Sequence, residues 1–221
     1  MNNICIFRDD DLQKIAKSFL TKYKLMPFDY EKWYKKAYNV VNLIVARKAD
    51  CNKEWQRIAF LWEKKNSEQL KEDIFKLLKE LSTAGIIDKI GELADKYELP
   101  VGIIQKIVSL IIKYIFCCYV VFGSALPPDI KNIFGWIGNK EIRDKLPIPV
   151  DSRILYSIYE MGITNLGITV YGRYAKIGDI PWTRIGLEDY KKIQETARML
   201  SVQCGMSPIE FEMKKLWKQE S

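Results

Sequence analysis

Lys106 and Asp151 are the two residues whose type and surroundings could do covalent chemistry. Lys106 falls on the first turn of an expected helix that continues with Ile107, Val108, Leu110, Ile111 and Ile112. Desolvation there would lower its pKa, and a neutral amine is a nucleophile where an ammonium is not. The same placement also suits a lysine that snorkels out of a core helix. Lys113, two turns on along nearly the same face, is open to both readings. Asp151 follows Leu146-Pro147-Ile148-Pro149-Val150, and the two prolines stiffen that approach in extended form. Its carboxylate can be aimed across a cleft at a partner, or can simply cap the helix behind it.

The composition narrows what such a pair could do. The chain has 221 residues, 48% of them hydrophobic and 12% aromatic, enough for one good core or two small lobes sharing a cleft. There is no histidine, so the usual neutral-pH base and the commonest zinc ligand are both missing, and no metal or cofactor is expected. No glycine-rich phosphate loop of the nucleotide-binding kinds occurs. Thirty-five Lys and Arg against 28 Asp and Glu give a net charge of +7, which favours a polyanionic partner without naming one. The cysteines, Cys5, Cys51, Cys117, Cys118 and Cys204, are odd in number and lack metal-binding spacing, and read as reduced. Met1 to Phe7 has neither the length nor the order of a secretory signal, so a cytoplasmic protein is expected; a monomer is expected as well. Ile103 to Leu126 is strongly apolar, but Gln105, Lys106, Ser109 and Lys113 interrupt it, which points to a buried helix rather than a membrane span.

The elements that must position the two residues are helical. Asp9-Asp10-Asp11 opens a first helix with Leu12, Ile15, Ala16, Phe19, Leu20 and Tyr23 at helical spacing. Tyr30 to Lys48 forms a second, and Asn52 can cap a third bearing Trp55, Ile58, Ala59 and Trp62. A fourth runs from about Ser67 to Leu81 and a short fifth from Ile86 to Tyr97. Glu98-Leu99-Pro100-Val101-Gly102 then makes a tight turn into the apolar helix starting near Ile103. Gly102 can bring backbone close to a ligand, and the unsatisfied N–H groups of the next helix can hold a phosphate; an ordinary helix–helix turn reads the same way. Gly123 to Val150 is mostly loop, with a short helix near Ile130 to Trp136. A helix from Ser152 to Met161, stopped by Gly162, leads to a second irregular stretch with a small hairpin through Thr169-Val170-Tyr171 and Tyr174-Ala175-Lys176. Leu187 to about Cys204 and a last helix opened by the Ser207-Pro208-Ile209-Glu210 capping sequence complete an all-α chain.

Hairpin, lysine and Pro-Val-Asp in that order resemble the helix-hairpin-helix superfamily of base-excision DNA glycosylases, most closely its archaeal 8-oxoguanine branch. The matching stretches are Gln105 through Lys113 and Ile148-Pro149-Val150-Asp151-Ser152-Arg153. Leu43 to Arg47 leading to Glu54-Trp55, and Gly205 to Pro208 leading to Leu216-Trp217, are similar more weakly. The resemblance implies one bilobal domain over residues 1–221, with the hairpin and lysine at about 86–122. It implies a bifunctional glycosylase and lyase acting on damaged DNA, with Lys106 as catalytic amine and Asp151 as assisting carboxylate. It further implies Trp55, Glu212 and Trp217 at the lesion base, with Leu110 where the family places an aromatic. Leu99, Val101, Gly102 and Lys113 would contact the DNA backbone. The shortened region before Lys106 and the longer one after it allow the same lyase chemistry on another damaged base. A non-catalytic DNA-binding module is the reading from a different class, with Lys106 and Lys113 merely contacting phosphate.

Overall fold

The computed structural model describes residues 9–22, 30–49, 53–81, 85–126, 128, 134–163, 166–170, 173–174 and 185–216. Acidic residues open α1 (Asp9–Lys22), where the helix dipole favours negative charge, and its Ala16, Phe19 and Leu20 are buried. Next come α2 (Tyr30–Ala49) and α3 (Lys53–Lys65), which pack on each other through Tyr38, Val41, Ile58 and Trp62. The Asn52 cap lies outside the described residues. Ser67 caps α4 (Glu68–Lys79) by accepting from the Leu70 N–H at 3.3 Å. The expected fifth helix is α5 (Ile86–Tyr97).

The chain then turns into α6 (Val101–Phe122), the axis of the fold. Gly102 through Cys118 are all buried, and α1, α2, α4 and α5 pack around it. Its length and hydropathy would let it cross a membrane, but its apolar surface is covered by the other helices. It starts two residues earlier than the sequence suggests, because Pro100 stands at its N-cap. Lys106 therefore belongs to its second turn, not its first.

Beyond α6 most of the expected helix near Ile130 to Trp136 lies outside the described residues; Gly135–Gly138 form a 3-10 turn, followed by α7 (Lys140–Arg143) capped by Asn139. The extended proline segment leads into α8 (Ser152–Glu160), and Gly162, at φ 90°, lets the chain leave it. The small hairpin forms as β1 (Thr169–Val170) against β2 (Arg173–Tyr174), antiparallel, with Val170 opposite Arg173. The last elements are α9 (Leu187–Gln203), α10 (Pro208–Phe211) and a π-helical turn over Glu212–Leu216. Ser207 and Glu210 form the expected capping box. Helix α9 reaches α5 because Gly91 has no side chain: a Cβ there would meet Leu187 Cδ2 at 2.7 Å. The buried apolar residues make one cluster, so the fold is all-α around a central helix. One expectation about covalent structure fails: Cys204 is disulfide-bonded, whereas Cys117 and Cys118 are buried free thiols.

Candidate functional site

Helix α6 carries Lys106, Leu110 and Lys113 on one face, since positions four and seven apart return to nearly the same angle. Lys106 Nζ lies 2.6 Å from Asp151 Oδ2, and the two side chains are 6% and 13% exposed. The pair therefore sits at the margin of the core, joining residues 45 positions apart. Asp151 does two jobs at once. Its Oδ1 caps α8 by accepting from the backbone N–H groups of Arg153 (3.0 Å) and Ile154 (3.1 Å), while Oδ2 faces the lysine. Burial by itself pushes the carboxyl up. The Lys106 charge and hydrogen bond, the Ile154 N–H and the Arg153 charge outweigh that and hold it down at about 2. An ionised, immobile carboxylate is thereby fixed against the lysine.

Two glutamines hold the segment that delivers Asp151. Gln105 donates from Nε2 to the Val150 carbonyl at 2.8 Å and accepts the Val150 N–H at Oε1 at 3.1 Å. Gln194 of α9 treats Ile148 the same way, at 2.8 and 3.0 Å. Pro147 and Pro149 have no N–H to satisfy, so each donor from 147 to 150 has an acceptor. The side-chain amides act as the neighbouring strand that this extended segment lacks. Sequence reasoning did not single out these glutamines as positioning residues. Gln105 left a signal, a polar residue inside an apolar helix and adjacent to the lysine; Gln194 sits on a helix with ordinary polarity and left none.

Of the other expected site residues, several need correction. Lys113 cannot reach a DNA backbone from its place here: it is 2% exposed, both Glu212 carboxylate oxygens lie 2.8 Å from its Nζ, and the Phe19 ring stands 5.1 Å away. Leu99 cannot offer its N–H to a phosphate, because that group closes α5 by donating to the Ala94 carbonyl at 2.9 Å. Glu98, left-handed at φ 52°, makes this closure and pairs with Lys65 at 2.8 Å. The N–H groups of Val101 and Gly102 have no acceptor among the described residues and remain suited to an anion. Glu212 is 1% exposed and is the partner of Lys113 on the π-helical turn. Leu110 is buried beside Lys106, 9% exposed. The Trp55 side chain and Trp217 lie outside the described residues.

The arrangement can keep a lysine amine and a carboxylate in fixed contact at the edge of the core, which suits attack on an electrophilic carbon next to a developing cation. The chain matches no protein-family model, no curated protein and no solved structure.

Proposed function

We propose that the protein is a base-excision DNA glycosylase and lyase that removes 8-oxoguanine through a Schiff base on Lys106. The observation that carries this reading is the Lys106–Asp151 contact at 2.6 Å, with Asp151 fixed as the cap of α8. Solvent water takes a proton from the Lys106 ammonium; the Nζ lone pair then forms a bond to the sugar C1′ as the bond to the base breaks, and the base keeps that bond's electrons and takes up a proton. A second Nζ proton passes to O4′ as the C1′–O4′ bond breaks, which leaves a protonated imine; water then takes the C2′ proton, and the C3′–O bond breaks, expelling the 3′ phosphate and cutting the strand. Asp151, held at about 2, is a weak base. Its service is to orient the ammonium beforehand and to stabilise oxocarbenium character at the sugar. The Val101 and Gly102 N–H groups and the basic surface would hold the phosphates without reading sequence.

The same chemistry on another damaged base is favoured by one feature, the aliphatic Leu110 where an aromatic would stack on the base. The non-catalytic module draws no support from Lys113, which is 2% exposed and paired with Glu212. The test is incubation with an 8-oxoguanine duplex and sodium borohydride, which reduces the imine to a stable amine. A covalent protein–DNA adduct that is lost in Lys106→Gln supports the reading. Absence of adduct on both that duplex and an abasic one removes it, and an adduct on the abasic duplex alone moves the base preference elsewhere.

A further inference from the structure

We infer that the cavity between α2 and α4, walled by Tyr34, Tyr38 and Phe75 and edged by Asn42 and Asn66, is a second binding site that takes a nucleobase. It does not depend on the lyase reading and includes neither Lys106 nor Asp151. The cavity has a volume of about 510 Å³, within the roughly 300–1,000 Å³ usual for small-ligand sites.

The three rings pack as a continuous aromatic wall. Tyr34 and Tyr38 lie 5.4 Å apart between centroids, and Phe75 meets Tyr34 edge-on at 6.4 Å. Tyr38 is backed by Trp62, stacked at 5.8 Å and 26°, so the wall is held from behind. Such a surface accepts a flat ring through its face.

The polar groups give the ring an edge to recognise. Asn66 Oδ1 is buried and has no hydrogen-bond partner among the described residues. The Tyr38 hydroxyl is also buried without a hydrogen-bond partner among the described residues, and the Tyr34 hydroxyl near it donates to the Lys71 carbonyl. Leaving such groups unmatched is costly, so an occupant that matches them is favoured. Asn42 adds the complementary sense. Its Oδ1 accepts from the Trp62 indole N–H at 2.5 Å, and because an indole nitrogen only donates, the oxygen must face it. The Asn42 amide NH₂ is therefore left as a donor in the same lining that holds the Asn66 acceptor. A planar heterocycle with an N–H donor beside an acceptor, as every nucleobase has on its pairing edge, satisfies both. The rim carries both signs of charge, Lys35 and Lys71 with Glu68 and Glu72; Lys71 pairs with Glu68, and its Nζ lies 5.8 Å from the Tyr38 ring centroid.

The base could arrive as a free nucleoside or as one unit of a single strand, and both are used as probes. The full chain is titrated with adenosine, guanosine, cytidine and thymidine, and separately with short single-stranded homopolymers, following heat of binding. Saturable binding is expected for at least one probe, weakened about tenfold by Asn66→Ala and by Tyr38→Phe and unchanged in Lys106→Gln. Binding by homopolymers alone identifies the source as a strand and still supports the site. Tyr38→Phe preserves the packing, so it carries the test if Asn66→Ala does not fold, as judged by circular dichroism. No saturable binding by any probe, binding indifferent to both substitutions, or binding lost in Lys106→Gln would overturn the assignment.

Discussion

Two lysine–carboxylate pairs lie on the same face of α6, seven residues apart, and they have been put to opposite ends. Lys113 and Glu212 are both sealed in, and a buried pair of this kind repays its desolvation only through close geometry. Its partners are 99 residues apart in the chain, so it staples the C-terminal π-helical turn to the central helix. Lys106 and Asp151 are further out, and there the carboxylate is also held by two backbone N–H groups and by Arg153, whose guanidinium is 3.5 Å away. One pair is sealed in; the other has its acid anchored at the margin of the core. On the proposed reading, the greater exposure of the pair and the fixing of its acid, rather than the ion pair itself, are what set Lys106 apart from Lys113.

That contrast can be broken most sharply at the amine. Lys106→Gln is expected to abolish the borohydride adduct and strand cleavage, a loss on the order of 10³-fold or more, with a smaller fall in the thermal unfolding midpoint than Lys113→Met, because Asp151 keeps its two backbone N–H donors and Arg153. Lys113→Met should do the reverse in kind, destabilising the fold by about 3–5 kcal/mol because it orphans Glu212. Urea unfolding measures this, and pairing it with Glu212→Leu should recover most of the loss. If instead Lys113→Met leaves stability untouched, the staple is not one. Gln194→Leu strands the N–H and carbonyl of Ile148, an expected cost of about 3 kcal/mol for the two groups, accompanied by slower cleavage because Asp151 loses its delivery arm.

The smallest effect is one of pH. The Asp151 carboxyl is lowered from 3.8 to about 2 on folding. Its contribution of about 2 kcal/mol is thus full above pH 4 and is lost as pH falls toward 2. Asp151→Asn should flatten the acid limb of a stability–pH curve over that window, and an unchanged limb would detach the carboxylate from Lys106.

Most of the helices could be read from the chain because their signals are local: acids before α1, Ser67 before α4, the capping box at Ser207, and apolar spacing throughout. The start of α6 was misplaced by two residues since Pro100 can end a turn as well as begin a helix. Lys106 and Asp151 were legible as reactive types in suggestive settings. What no local pattern carries is which group arrives from far along the chain. Lys113 was read as a phosphate contact because nothing near it announces Glu212, and Leu99 because the closure of α5 consumes an N–H only once the Glu98 turn exists. The glutamine clamps escaped notice for the same reason: a side-chain amide that stands in for a β-strand has no periodicity.

The clamps have one further consequence, in the time domain. An amide hydrogen trades with solvent deuterium only while its hydrogen bond is open. Ile148 and Val150 are each held by a single glutamine, so their exchange rates record, separately, how often Gln194 and Gln105 let go. These two amides are built-in clocks for the arm that carries Asp151, readable without substrate, label or chemistry.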